Sequence, residues 1–541
     1  MRNSVWMKGF VIGIIVLFVG ASIPNITGET QQLNVKSNMQ NTEITSQIQT
    51  SLIAPPDEEW SKTFGGTDED IGYSVQQTTD GGYIITGETS SYGAGNADVW
   101  LIKTDKNGNK LWSRTFGGTS DDDGRSVQQT TDGGYIIAGT TGSYGPIACA
   151  AWLIKTNANG IEEWNSTFGE SNPNQGSFGY SAQQTTDGGY IMTGGYRLSG
   201  MGTGTIWLIK TDANGNELWN KTYVGTIGES VQQTTDGGYI ITAIHYYSMD
   251  PTDIILIKTD TNGNAQWIKT LLPLHGYCGS GQQTTDGGYI IVGTQRYPIF
   301  DMWLMKTDAN GDEQWNKTFG GFYNEFGNSI QQTADECFII TGDTYSYGAG
   351  GFDVWLLKTD VNGNELWNKT FGGIESDSGL SVQQTTDGGY IITGSTLSYG
   401  SGGSDVYLIK VETENSPPNK PNKPSGETSG KLNTPYIYST NTTDPNGDQV
   451  WYQWDWGDSS TSSWLGPYNS GVIISTTHTW TVKSSSVKVK AKDIYGAESP
   501  FSDPLPITMP YSYNIPLQWF WERLFQRFPT AFPLLRHLMG Y

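Results

Sequence analysis

The chain is poor in the residues from which most redox, metal and nucleophilic sites are built: 541 residues include three cysteines and four histidines. Cys149, Cys278 and Cys337 are an odd set without CxxC spacing, which excludes a zinc ribbon and a disulfide framework. His245, His275, His478 and His537 stand far apart, with no HExxH or HxxxH spacing. Basic residues are scarce as well. With 31 Lys and Arg against 54 Asp and Glu the net charge is -23, which repels nucleic acid and anionic membranes and excludes nucleic acid as a partner. A long hydrophobic run is missing too. The run from Gly9 to Ala21, behind Arg2 and Lys8, has about 13 apolar residues where a spanning helix needs roughly 20. It reads as a secretory signal peptide over residues 1–28, cleaved rather than retained as an anchor, with a polar linker over residues 29–56.

What is abundant is repetition. The stretch QQTTDGGYIITG, Gln76 to Gly87, returns six more times, its Asp recurring as Asp80, Asp132, Asp187, Asp236, Asp286, Asp335 and Asp387 at steps of 49 to 55 residues. A period near 50 is that of a propeller or solenoid built from one small unit. Each copy holds four short runs rich in Ile, Val, Thr, Tyr and Trp. Asp-Gly-Gly and Asn-Gly separate them and supply the positive φ of tight hairpin turns. That is a four-stranded antiparallel blade, strands a to d. Runs such as YIIT and VWLI are apolar on consecutive residues, as expected where neighbouring blades cover both faces.

The ends of the array predict closure. EEWSKTFGG around Trp60 is a strand d with no a, b or c before it, whereas the last copy stops after strand c at DVYLIKVE. Trp60, Trp112, Trp164, Trp219, Trp267, Trp315 and Trp367 then serve seven a-b-c sets, giving a seven-bladed β-propeller over residues 57–414. Cys278 and Cys337 fall in adjacent blades, where they could pair or act as small buried residues. Strand c carries Lys103 and six equivalents at the end where Asp80 and its equivalents close strand a. Exposed ion pairs of about 0 to 1 kcal/mol each are predicted around that rim.

Beyond the repeats, NSPPNKPNKP opens a Pro-rich linker over residues 415–427, and a single set of strands follows over residues 428–509. Asp444-Pro445-Asn446-Gly447-Asp448, the WDWGD run from Trp454 to Asp458, and His478-Thr479-Trp480 resemble the polycystic-kidney-disease (PKD) domain. That is an immunoglobulin-like β-sandwich of extracellular proteins, and the resemblance implies a spacer or a protein- or carbohydrate-contact module. Ser459 stands where that family has Gly. The fold class is therefore all-β, a seven-bladed propeller followed by an immunoglobulin-like sandwich. Asp444, Asp448, Asp455 and Asp458 fit Asx-type turns and could also ligate calcium, which needs six to eight oxygens. Residues 510–541 contain an amphipathic stretch running to Pro529, expected to dock on a membrane surface or to serve a sorting machinery. This tail resembles those that mark secreted prokaryotic, especially archaeal, proteins for the cell surface.

The propeller repeats resemble those of secreted archaeal and bacterial proteins that join DGGYI-type propellers to PKD domains. They also resemble the quinoprotein repeat through KTDxNGNxxWxKTFGG. Seven blades rather than eight, and no vicinal cysteines, argue against quinoprotein activity. The resemblance implies extracellular binding or adhesion, with a polysaccharide hydrolase or lyase as the alternative. No cofactor is required, and calcium is the one the acidic loops could take.

The a-b and c-d turns share one face and are monotonous, whereas the b-c and d-a loops share the other and vary. Recognition is expected on the variable face, with Tyr246, Tyr247, Arg296 and Tyr297 stacking on and hydrogen-bonding to an extracellular glycan or cell-envelope protein. Asp68, Asp70, Asp121 and Asp123 are the cation ligands expected beside them. Asn165, Asn220, Asn316, Asn368 and Asn441 lie in Asn-x-Ser/Thr sequons. They could carry glycan or serve as the polar partner of a strand position.

Overall fold

The computed structural model describes residues 55–145, 149–169, 175–198, 204–246, 252–271, 276–296, 299–509, 517–530 and 533–538. The expected signal peptide and all but the end of the polar linker lie outside them. Strand β1 (Glu58–Phe64) precedes the first full blade, β2 (Asp70–Gln77), β3 (Tyr83–Thr89), β4 (Asp98–Thr104) and β5 (Lys110–Phe116). Six four-stranded antiparallel sheets follow the chain in order, and β1 pairs with Asp405–Val411 to complete the seventh. The N-terminal strand thus supplies strand d of the last blade, as the two partial repeats require.

Turn chemistry makes the hairpins. Gly81 (φ 83°) and Gly108 (φ 74°) occupy the left-handed region at the a-b and c-d turns of blade 1. Asp80 Oδ1 accepts the Gly82 N–H at 3.0 Å and the Thr78 hydroxyl, while Asp105 Oδ1 accepts from Asn107 and Asn109, each at 2.9 Å. The repeated Asp residues are therefore built into the turns. Blade 6 breaks the pattern, because Ala334-Asp335-Glu336-Cys337 holds no glycine and Glu336 takes φ 65°. A side chain there costs about 1 kcal/mol. Glu336→Gly is expected to raise stability by about that amount in chemical denaturation, and an unchanged midpoint would show that the turn carries no such strain.

All seven Lys-Asp pairs form, from Lys358–Asp335 at 2.7 Å to Lys410–Asp387 at 3.2 Å. Their environment differs from the expected exposed rim. The Lys side chains are 2–5% exposed and the Asp side chains 52–60%, because each Lys stem threads beneath the hairpin; in six blades its Nζ also reaches a buried carbonyl such as Thr104 O at 2.8 Å, and in blade 6 Lys358 reaches Glu414 instead.

Blades meet through residues the repeat supplies at every junction. The aromatic ring of each GGY-type segment packs on the strand-d Trp of the preceding blade, with centroids 5.6–6.2 Å apart from Trp60–Tyr83 round to Trp367–Tyr390. The Trp60 ring also lies over the next Asn-Gly turn, where a Cβ on Gly108 would meet it at 2.4 Å. A separate apolar cluster fills each of the seven junctions, including one that joins Ile391, Val406 and Leu408 of blade 7 to Val75, Tyr83 and Trp100 of blade 1. These clusters, rather than a central core, hold the ring together. The three free thiols stay apart; Cys278 is buried in the junction of blades 4 and 5, and the pairing with Cys337 does not form.

The sandwich packs a three-stranded sheet (Ser425–Gly426, Pro435–Thr440, Ile474–Thr479) on a four-stranded one (Leu465–Tyr468, Val450–Asp455, Ser484–Lys492, Leu505–Thr508). Trp454, Trp480, Tyr438 and Tyr452 form its core, with Trp480 Nε1 donating to Tyr438 OH at 2.8 Å. His478 stacks on Trp456 at 4.3 Å and bonds Asp458 at 2.8 Å, which explains the HTW and WGD runs as core architecture. Ser459 keeps the turn that Gly would make, at φ 72°. The Pro-rich stretch is no free spacer: Asn419 and Asn422 N–H groups bond Thr443 and Asn441 carbonyls at 2.9 Å. Two helices end the described chain, α1 (Leu517–Arg527), where the amphipathic pattern places it, and α2 (Pro533–Leu538). Among the described residues no helix is long and apolar enough to cross a membrane.

Candidate functional site

On the variable face, an arc of four consecutive blades (6, 7, 1 and 2) shares one construction. Ser-Tyr-Gly follows strand b, and the Tyr hydroxyls of Tyr92, Tyr144, Tyr347 and Tyr399 donate to Gly carbonyls at 2.6–3.0 Å. An acid at the start of strand a caps the d-a turn. Asp70 accepts from Gly66 N–H at 2.9 Å and Ser91 Oγ at 2.7 Å, and Asp122 does the same with Gly118 and Ser143. The expected cation ligands therefore separate. Asp70 is buried in this turn, Asp68 and Asp121 are exposed, and Asp123 pairs with Arg125 at 3.0 Å. Among the described residues no group of three or more His, Cys, Asp or Glu side chains is placed to hold a metal ion.

The axis is a channel of about 280 Å³ lined by strand a of every blade. Ser74 and its equivalents accept a backbone N–H from the next blade at all seven junctions, at 3.0–3.3 Å. Gln77 and its equivalents accept one from the preceding blade, at 2.8–2.9 Å. The repeated Ser and Gln are thus bound into the ring. Just above them, toward the variable face, every strand a carries a β-bulge. A bulge re-aims its extra residue. That residue is Tyr73, Arg125, Tyr180, Glu229, Asn328 and Leu380 in blades 1, 2, 3, 4, 6 and 7, a non-repeating set on an otherwise repeated strand.

At this mouth the Arg125 guanidinium lies 4.0 Å over the Tyr73 ring. Burial raises the Glu88 carboxyl above the usual carboxylate range despite the opposing charge of Arg125. At the junction of blades 6 and 7 Asp343 accepts from Ser378 Oγ at 2.8 Å, Gly379 N–H at 2.9 Å and Asn328 Nδ2 at 3.3 Å. Burial outweighs these bonds and lifts its pKa to about 6.

Blades 5 and 6 add a row of aromatic rings. Tyr277, Phe300, Phe326, Phe352, Tyr345 and Tyr323 follow one another with centroids 5.1–5.9 Å apart. Arg296, at the end of strand b in blade 5, is exposed and sits 5.4 Å over Phe300. Tyr247 and Tyr297 lie outside the described residues, as does the side chain of Tyr246.

In the sandwich, Asp444 Oδ1 accepts from the Asn446 and Asp448 N–H groups at 2.9 and 3.2 Å, the Asx turn anticipated for DPNGD. The strand-d sequon Asn side chains are already engaged: Asn165 Nδ2 donates to Glu162 at 2.6 Å while its Oδ1 accepts from Trp152 Nε1 at 3.1 Å.

Neither the bulge residues nor the aromatic row was singled out from the sequence. Comparing the chain with itself exposes both. Phe352 stands where blade 1 has Ala97 and blade 7 has Ser404; Phe326 stands where they have Ile71 and Ser378; Tyr345 replaces Ser90 and Leu397.

Strand order and junctions define an all-β protein, a seven-bladed propeller carrying an immunoglobulin-like sandwich. The sandwich is similar to the PKD domain of an M14-like peptidase from a Thermoplasmatales archaeon, 47% identical over 18% of this chain and 98% of that one, with a TM-score of 0.17. More distant similarity links the chain to a protein of unknown function from Dyadobacter fermentans, 12% identical over 67% of this chain and 100% of that one (TM-score 0.39). Cobalt-substituted Synechocystis ACO is 10% identical over 68% of this chain and 96% of that one (TM-score 0.34). No protein-family model and no curated protein matches.

Proposed function

We propose that the protein is a secreted or cell-surface binding protein that recognises a glycan or protein ligand on the variable face of its propeller, with the sandwich as spacer or auxiliary contact. The observation that carries this reading is the concentration of non-repeating aromatic and charged side chains on that face. They lie at the bulges and in blades 5 and 6, on a ring whose other face is closed by near-identical turns. A rigid scaffold with one varied surface is how loops carry recognition. The tail, with α1 exposing Trp519 and Phe520, would serve docking or sorting at the cell envelope.

A second reading rests on the channel mouth. Glu88 and Asp343, at the same strand-b position of blades 1 and 6, are both raised by burial, the direction in which a polysaccharide hydrolase or lyase tunes its general acid. Screening the full chain against glycans and cell-envelope fractions, with reducing-sugar release followed in parallel, separates the two. Binding without turnover is expected. It should disappear when the b-c loops of blades 4 and 5 are replaced by the Ser/Gly loop of blade 7. Binding lost instead on altering the Asn-Gly turns would place function on the opposite face.

A further inference from the structure

The tail reverses the charge of the rest of the chain. Acids outnumber bases 54 to 31 overall, whereas beyond Pro510 the sequence holds Arg523, Arg527 and Arg536 against Glu522 alone. Helix α1 has 11 residues, and the Phe528 N–H still bonds Leu524 O at 3.0 Å before Pro529 ends the turn. Residues four apart lie nearly in line on a helix, so its side chains fall into rows. Trp521 and Phe525 belong to the row that is turned in: Phe525 is 1% exposed, and the two rings stack at 5.8 Å. On the open side two rows run next to each other, Trp519-Arg523-Arg527 and Phe520-Leu524-Phe528. Trp519, Phe520 and Phe528 are 45%, 50% and 51% exposed, both arginines are exposed, and the Arg523 guanidinium lies 4.6 Å over the Trp519 ring. Neither row carries a carboxylate.

Building on the reading of the tail as the part of the chain that docks at the cell envelope, we infer that α1 lies on a lipid bilayer bearing anionic phosphate headgroups, with these two rows against it. At 1.5 Å per residue the helix is about 16 Å long, enough to lie in the interface and too short to cross roughly 30 Å of hydrocarbon. Both rows find partners at that depth. The aromatic rings enter the boundary of the acyl chains, and the guanidiniums bond headgroup phosphates just above them. A groove on a protein takes one apolar stripe of a helix and leaves the charges to solvent. Here the charges stand inside the exposed apolar side, because Arg523 and Arg527 are in line with Trp519 and beside Phe520 and Phe528. A groove covering the rings would bury both guanidiniums away from water, which a bilayer surface does not require. The inverted charge points the same way, since an acidic body is pushed off an anionic surface and only the arginine-bearing end is drawn to it.

The test is co-sedimentation of the full chain with sucrose-loaded vesicles of phosphatidylcholine alone, or of equal parts phosphatidylcholine and phosphatidylglycerol. The protein is expected to pellet with the mixed vesicles and to be released by raised salt. Affinity for them should fall about tenfold or more in Arg523→Gln/Arg527→Gln, and likewise in Trp519→Ser/Phe528→Ser. Both variants alter only exposed side chains and should leave the melting temperature of the propeller unchanged. Binding that survives both overturns the assignment of these rows, and equally tight, salt-insensitive binding to phosphatidylcholine alone overturns the anionic headgroup as the partner. No pelleting with either vesicle overturns the bilayer. The same chains are then assayed on solubilised cell-envelope proteins: retention lost in Trp519→Ser/Phe528→Ser keeps the tail as an envelope-docking segment that takes a protein, and retention equal to that of the unaltered chain overturns the envelope reading as well.

Discussion

Removal of residues 57–66 should open the ring and leave an aggregating protein that melts on the order of 10 °C lower or more than the full chain. The segment is the outermost strand of blade 7, paired with Asp405–Val411 through six residue pairs. It brings Phe64 into the cluster that seals blades 7 and 1, the Trp60 ring onto Tyr83, and Glu59 to Lys410 at 3.2 Å. Burial of two large aromatic side chains is worth several kcal/mol, and their loss leaves Val411, Ile409 and Tyr407 on an unpaired edge. Because the strand comes from the far end of the array, its loss opens the ring at the point where closure couples first and last blades. Scanning calorimetry and size-exclusion chromatography of the truncated chain check this; unchanged melting and elution would sink the closure.

Asp236→Ala should destabilise the protein by about 1 to 3 kcal/mol at pH 7, more than a surface ion pair could account for. Its partner Lys258 is 4% exposed. Without the carboxylate, its ammonium keeps only neutral acceptors, Thr259 O at 2.8 Å and Gln266 Oε1 at 3.3 Å. The half-exposed Asp236 lowers the figure from what a fully buried pair would give. The pH dependence follows from the same contacts. Partial burial alone would raise the Asp236 carboxyl, but bonds from Lys258, Thr234 and Gly238 outweigh it and hold the group at about 2. A carboxyl lowered on folding contributes stability above its unfolded pKa, near 4, and loses it as pH falls from there toward 2. Asp132, also held at about 2, behaves alike, and Asp80, Asp187, Asp286, Asp335 and Asp387 are lowered as well. The wild-type melting temperature should therefore drop steeply between pH 4 and 2, and the Asp236→Ala variant should converge on it at the acid end. A constant gap between the two across that range would refute the assignment.

Much of the ring was legible because each blade is a local object. Asp-Gly-Gly and Asn-Gly demand hairpins whatever surrounds them, and a strand d without its blade at one end with a blade lacking strand d at the other leaves one economical solution. The Lys-Asp pairs were legible for the same reason, since the Lys of strand c and the Asp after strand a sit at the same end of one blade. Their burial was not, because it depends on the Lys stem running beneath a turn, and that path has no sequence signature. Similarly, Asp70 and Asp123 read as acidic loop residues, yet one caps the d-a turn that leads from blade 7 into blade 1 and the other neutralises Arg125.

The candidate site divides along the same line. Backbone turns, alternation and period are properties of contiguous residues, so the sequence by itself determined seven blades, their strand order, the closing strand and the face on which variation accumulates. Which varied residues meet depended on the ring bringing together positions far apart in the chain. Tyr277 and Phe326 are contributed by different blades and touch because blades 5 and 6 pack face to face at an angle set by their junction cluster. Asp343 and Ser378 meet across the next junction. The bulge that turns Tyr73 and Arg125 toward one another arises from a one-residue mismatch between strands a and b, a register that only the paired sheet decides.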